Sequence, residues 1–350
     1  MAVSFPYSTL NVAFTLDDTN LINVSTLLDD TYFTIKLEID YYAFYSEELQ
    51  SKELNYKIPL FNKQATFNAG RKIHRILENI KTLNSQEIQY RLATVKFSIT
   101  ELNYVDDTTV DAVYYPNILF AAGVKPYVNN NTALLDINNF AARVTPNAFK
   151  NISFLIPAGD RTRVILKNGN LVDETTEYIE GTYNVRTYRY NFSEFNPVPG
   201  DVFKVGIKNT TAFKSVFIFP EQNLSNTILF IDEFKLINSI ECTGGFSTPT
   251  KYKQITHKYK RNFVEIIEVI ETTKENSFLI NTGWVLKTDN ITIDSLLRSK
   301  KAWLFLSATE AIELVPVAEK LVNVDSENDL YQYNLEFKIN RTSDAQNYTF

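Results

Sequence analysis

Cysteine is almost missing from this chain: Cys242 stands alone among 350 residues. One thiol closes no intramolecular disulfide and builds no thiolate zinc cage, and such usage fits folding in a reducing cytoplasm. With no histidine near it in sequence, Cys242 is expected to be a small buried hydrophobe rather than a nucleophile. Histidine is nearly as scarce, with His74 and His257 only. Arg71, Lys72 and Arg75 surround the first, and Lys258, Lys260 and Arg261 surround the second. A general base or metal ligand needs an orienting partner; neither histidine has one in sequence, and both are expected on the surface. Glycine is thin, 10 residues scattered along the chain with one pair, Gly244-Gly245. Phosphate-cradling loops need clustered glycine so that backbone can approach the anion. Nucleotide binding is therefore not expected, and the pair reads as a sharp strand-to-strand turn. No catalytic, cofactor-binding or metal-binding set emerges.

Long apolar runs are missing too. The most apolar window, residues 113–124, is broken by Pro116 and Asn117 and falls short of the ~20 residues a spanning helix needs. No membrane span is expected. Residues 1–10 carry neither a basic start nor a long apolar stretch, so no secretory signal is expected. A net charge of −6 and a pI near 5.2 would repel a phosphate backbone or an anionic bilayer, which disfavours a general nucleic-acid role. Acidic pairs occur at Asp17-Asp18, Asp29-Asp30, Glu47-Glu48 and Asp106-Asp107. A glycosidase acid and base or a cation site would use such groups, but neighbours on a strand point to opposite faces. They read as solvated turns. Glycosylation sequons recur from Asn23 to Asn347, as chance supplies them in a chain rich in Asn and Thr, and are not read as modified.

What the chain has in excess is aromatic surface: 25 Phe and 20 Tyr, within a 13% aromatic fraction. Large flat side chains favour pleated, half-buried strands. The expected class is mainly β, two or three antiparallel β-sandwich-like domains with a few short helices. Residues 1–126 read as an N-terminal sandwich with one packed helix and 127–225 as a middle β domain. Residues 226–350 read as a C-terminal β domain with a short helix, either separate from the middle one or continuous with it. Period-two alternation marks strands at 8–16, 34–44, 90–102, 110–120 and 333–339, and strand-like runs at 152–157, 163–167, 183–192, 203–207, 228–237 and 263–270. Asn168-Gly169 is a tight hairpin signal, since both residues tolerate positive φ. Ile73, Ile76, Leu77 and Ile80 fit one helix face, with Asn68 as cap and His74 on the wet side. Ile293, Leu296 and Leu297 fit a second, capped by Asn290 or Thr292. Pro316 cannot donate to a ladder and marks an edge or a strand end. The polar run at 129–132 reads as a linker or an ordered crossover.

One stretch is both basic and aromatic. Lys251, Lys253, His257, Lys258, Lys260 and Arg261 are interleaved with Tyr252 and Tyr259 on an otherwise acidic chain. Such a patch can meet nucleic acid or an acidic face of a neighbouring subunit, or simply be a solvated strand face.

Several segments taken together resemble a family of tail, tail-ring or baseplate structural proteins of tailed phages, including crAss-like phages, and of prophages of Bacteroidetes. They are residues 65–77 (ATFNAGRKIHRIL), 228–234 (ILFIDEF), the turn 243–246 (TGGF), and the closing series of Thr282-Gly283-Trp284, Trp303-Leu304-Phe305, Val315-Pro316-Val317 and Leu335-Glu336-Phe337. The resemblance implies a virion protein made in the host cytoplasm and assembled in homo-oligomeric rings beside other tail or portal-proximal proteins. It implies work done by subunit contacts, without enzyme activity or cofactor. Two other functions are weighed against it. One is a receptor- or glycan-binding module of a phage tail, since sandwiches with exposed aromatics bind glycans. The other is a tail-associated hydrolase using paired carboxylates.

Overall fold

In the computed structural model, the described residues are 1–9, 11–18, 20–42, 49–77, 92–126, 132–138, 140–222, 224–261, 264–307, 310–317 and 330–339. The protein is mainly β, with antiparallel and mixed sheets and two α-helices among these residues.

The first region contains β1 (Ala2–Ser4), β2 (Ala13–Phe14), β3 (Ile22–Ser25), β4 (Thr31–Tyr42), β5 (Leu49–Ile58), β6 (Gln64–Phe67), α1 (Ala69–Ile76), β7 (Leu92–Asn103) and β8 (Thr109–Ala121). They build a five-stranded sheet in the order β2-β8-β7-β4-β5 and a three-stranded one, β1-β3-β6. Alternation in β4 buries Phe33, Ile35, Leu37 and Ile39, and the register with β7 stacks Ile35 beside Ile99 and Leu37 beside Phe97. Lys36 turns outward and bridges Glu38 and Glu53. Among the described residues of the strand expected at 8–16, only Ala13–Phe14 pairs; residues around it make turns, and the Thr15 and Leu16 amides donate to Ala121 and Gly123 instead. Asn68 caps α1 through the Arg71 amide at 3.2 Å. His74 is buried, contrary to expectation. The buried arc of this short helix runs through Ala69, Gly70, Ile73 and His74, and the His74 ring meets the Thr15 hydroxyl at 2.8 Å. Ile80 and the pair Glu47-Glu48 lie outside the described residues.

The middle region contains β9 (Ala133–Leu134), β10 (Ala142–Val144), β11 (Phe149–Lys167), β12 (Asn170–Asn191), β13 (Val202–Ile207) and β14 (Phe213–Ile218). Its six-stranded sheet runs β10-β14-β13-β11-β12, with β9 on β11. Asn168 and Gly169 take φ of 51° and 87° and close the β11–β12 hairpin, which leaves β12 as a long outer strand. The polar run lies partly outside the described residues, and its continuation 132–138 is an ordered, largely buried crossover.

The last region contains β15 (Asn226–Ile231), β16 (Ile237–Cys242), β17 (Phe246–Ser247), β18 (Thr250–Arg261), β19 (Val264–Asn281), β20 (Val285–Leu286), α2 (Asn290–Arg298), β21 (Ala302–Ser307), β22 (Glu310–Val317), β23 (Leu330–Tyr331) and β24 (Asn334–Ile339). The main sheet runs β16-β15-β21-β22-β24-β19-β17, with β18 on β19. Residues 228–237 are not one strand. The chain reverses at Asp232, whose carboxylate accepts the amides of Phe234 and Leu236, and Lys235 takes φ of 59°. Neither Asn290 nor Thr292 caps α2; Asp289 precedes the helix and accepts the Leu286 amide. Pro316 pairs with Phe337 on one side, beyond the point where the pairing of β21 with β22 stops at Leu314.

Three apolar clusters fill these regions, one each around Phe97, Phe203 and Phe230. Cys242 belongs to the third, where burial pushes its thiol up to about 12. A fourth cluster joins all three regions, with Phe14 and Ala121 from the first, Leu135, Leu155 and Val185 from the middle, and Leu229, Phe234 and Trp303 from the last. Gly123, at φ of 106°, lies so close that a Cβ there would fall 2.4 Å from the Phe234 ring. Removing the Phe234 ring empties that junction, so Phe234→Ala is expected to cost about 3–5 kcal/mol. Urea unfolding followed by tryptophan fluorescence reads this directly, and an unmoved midpoint contradicts it.

Candidate functional site

Two places concentrate groups capable of chemistry or recognition. The first is a buried charge network where β11 and the 132–138 crossover meet β16 and α2. Lys214, on β14, sends its ammonium to Asp136 Oδ2 at 2.8 Å and to the carbonyl oxygens of Asn138 and Phe140. Lys150, on β11, donates to Asn238 Oδ1 at 2.9 Å and to the Ser239 carbonyl. Arg143 Nε lies 3.1 Å from Asp289 Oδ2, and its guanidinium also reaches the Trp284 carbonyl. Glu241 accepts the Thr145 amide at 2.7 Å and hydroxyl at 2.6 Å, and Asn138 Nδ2 donates to Thr292 at 3.2 Å.

The sequence carries a signal for this network in strand parity rather than in any motif. Lys214 shares strand parity with Val216 and Ile218, and Lys150 with Ile152 and Phe154, so both lysines fall on faces that are otherwise apolar. Burial is costly to a charge unless it is paired and hydrogen-bonded, and the titration behaviour follows. Burial pushes Lys150 down to about 8, despite the pull of Asp136. Burial pushes Asp232 up to about 7, against the amides it accepts, with Asp136 adding repulsion. Burial also opposes ionisation of Asp136, but Lys214 and Lys150 outweigh it and hold that carboxyl below its ordinary range.

The cavity within the network, lined by Asp136, Arg143, Lys150, Lys214 and Glu241, is about 30 Å³. That accommodates about one water, whereas small-molecule sites begin at roughly 300 Å³. Lys150, Arg143 and Glu241 are aimed at partners across the boundary between the middle and last regions, while Lys214 holds Asp136 within the middle region. What the arrangement does chemically is latch the middle region to the last one. Among the described residues no group of His, Cys, Asp and Glu has the makings of a metal site.

The second place is the hairpin of β18 and β19. Only Ser277–Asn281 of β19 pairs with β24 in the main sheet; the rest, through the register Thr250↔Asn276 to Arg261↔Val264, pairs among the described residues with β18 alone. The 12 residues of β18 make an arm about 40 Å long at ~3.3 Å per residue. Both of its faces are wet. Residues 252–260 are exposed without a break, and among the apolar side chains Tyr252 is 65%, Ile255 51%, Ile267 58% and Ile270 67% exposed. The described part of the basic, aromatic patch, Tyr252, Lys253, His257, Lys258, Tyr259 and Lys260, therefore lies on one strand of a free-standing arm. The side chains of Lys251 and Arg261 lie outside the described residues. The structure adds what spacing could not give: β19 is acidic, and pairing sets His257 beside Glu268 and Lys260 beside Glu265. The basic strand is thus partly neutralised within its own hairpin, which weakens the case for nucleic acid. His257 stacks on Tyr259 at 5.7 Å. The described acidic pairs, Asp17-Asp18, Asp29-Asp30 and Asp106-Asp107, lie outside strands and helices in turns and bends, where Asp18 meets Arg71 at 2.9 Å and Asp106 accepts from Thr108.

Truncating one partner of a buried ion pair strands the other, so Lys214→Ala is expected to cost about 3–5 kcal/mol, with Lys214→Met/Asp136→Asn recovering part of it. Equal stability of the single and double variants in chemical denaturation contradicts the buried pairing of Lys214 with Asp136. Asp232 gives a pH signature. Its folded value, about 7, lies above its ordinary 3.8, so the stability it contributes is full below 3.8 and is lost as pH rises through 7. Asp232→Asn keeps an acceptor for the two amides and cannot ionise. It is expected to match the parent at pH 4 and to exceed it by about 1 kcal/mol or more at pH 8; parallel stability curves for the two proteins contradict this.

No protein-family model matches the chain, and no curated protein matches its sequence.

Proposed function

We propose that the chain is a structural subunit that works through contact area, a virion component of a phage tail, tail-ring or baseplate made in the host cytoplasm. The observation that carries the subunit reading is the arm. An isolated two-stranded hairpin is marginal in water at best, and this one exposes Tyr252, Ile255, Ile267 and Ile270 on a ribbon with two wet faces. Such a ribbon gains stability when a partner covers it. Supporting this, the dense set of buried charged groups around Lys150 and Lys214 faces its own protein across a water-sized cavity. The tail setting is carried by the resemblance of the segments at 65–77, 228–234, 243–246 and 282–337. It implies partners among copies of the same chain and other tail or portal-proximal proteins.

A receptor- or glycan-binding module of a tail is the second reading, favoured by Trp284 and Phe246. They are 61% and 56% exposed, Trp284 in the loop before β20 and Phe246 on the short strand β17, and the Thr243 amide donates to the Thr282 carbonyl between the two segments; exposed rings can stack on sugars.

The subunit reading is expected to show as a discrete oligomer in light scattering and negative-stain microscopy of the full chain, and a monomer at every concentration contradicts it. The second reading predicts that Trp284→Ala lowers binding to host surface polysaccharide by about tenfold, the ~1.4 kcal/mol of one lost stacking contact, with the oligomer unchanged. No binding by the parent protein contradicts that reading.

A further inference from the structure

We infer that the partner of the arm is a second copy of this chain, and that the free edge of β18 docks on the free edge of β12 in the next copy. The inference rests on the subunit reading above and names its contact.

Both strands have an open side. Among the described residues β18 pairs only with β19, and β12 pairs only with β11 and ends its sheet. An open edge presents unpaired N–H and C=O groups that will pair with another chain. Their charges are opposite. Residues 250–261 hold Lys251, Lys253, Lys258, Lys260 and Arg261 without an acid, and residues 170–182 hold Asp173, Glu174, Glu177 and Glu180 without a base. Parity arranges the charges on faces. Lys258 and Lys260 share one face of β18, while Glu174, Tyr178 and Glu180 share one face of β12. Apolar surface accompanies the charge on each side, Tyr252 and Ile255 on β18 and Leu171 and Tyr178 on β12, all more than half exposed.

The same charges select against other pairings. Like charges set opposite each other across strands are destabilising, so β18 against β18 and β12 against β12 are both disfavoured. A lysine-rich edge is also a common protection against indiscriminate pairing; here it excludes its own kind and admits an acidic edge. Because β18 and β12 are different surfaces, their contact is heterologous, and repetition of it closes into a ring or runs into a filament.

The test uses the full-length chain and two variants. One reverses the arm, Lys253→Glu/Lys258→Glu/Lys260→Glu, and the other reverses the edge, Glu174→Lys/Glu180→Lys. Each alone is expected to raise the concentration for half-assembly by about tenfold or more. An equimolar mixture of the two is expected to assemble again, because every basic strand then has an acidic edge to meet. Recovery on mixing also excludes a misfolded arm as the cause of the loss. If the parent assembles and the edge variant assembles equally well, the arm meets some other surface and this inference fails while the subunit reading stands. If the variants stay apart on mixing, the charge complementarity fails in the same way. A parent that never assembles removes both.

Discussion

The arrangement depends most on the ionic seam between the middle and last regions. Lys150, Lys214 and Arg143 stand on one sheet, Asp136 on the crossover beside it and Asp289 at the start of α2; Lys150 and Arg143 find partners across the seam and Lys214 holds Asp136 on the near side of it, all within hydrogen-bonding range. Buried pairs of this kind add little net stability over a well-packed apolar substitute, because desolvation offsets their attraction. Their consequence is geometric. A shift of one region against the other leaves charges buried without partners, a state costing several kcal/mol, whereas an apolar seam tolerates sliding. The cluster of Phe14, Leu155, Leu229, Phe234 and Trp303 alongside supplies the apolar burial. Association comes from one set of residues and register from the other.

Fixed register matters for the contact inferred between copies. The acidic edge of β12 belongs to the middle region and the arm is rooted in the last one, through β19 and β24. The angle between the two docking strands is therefore set by the seam. A heterologous contact closes into a ring only when each copy turns by the same amount. The buried charges and the exposed charges then have separate tasks on one chain: the first hold the two docking strands at an angle, and the second choose which strands meet.

Much of the strand content was legible because period-two alternation survives wherever one face is dry. β4, β7 and β24 show it plainly, and Asn168-Gly169 marks its hairpin through the positive φ both residues tolerate. The cap at Asn68 was legible too, since its side-chain oxygen sits three residues before the amide it accepts. Misreadings came where long-range contacts overrode local pattern. Leu10, Val12 and Phe14 alternate, but their neighbours spend their hydrogen bonds on the end of β8. Residues 228–237 look continuous because Asp232 resembles one polar position in a strand, while its carboxylate organises a reversal. His74 looked wet among its basic neighbours, but Thr15, far away in sequence, covers it. The basic strand was visible as composition; that it stands away from the body, next to an acidic strand, required the pairing of β18 with β19.

Backbone amide exchange across residues 252–260 tests the central claim, that this protein acts by covering its arm with another copy, most directly. In the assembled protein, the amides on the open side of β18 are predicted to exchange far more slowly than in the dissociated chain, at alternate positions along the strand. Equal exchange in the two states would show that the arm stays bare in the assembly and would contradict the account.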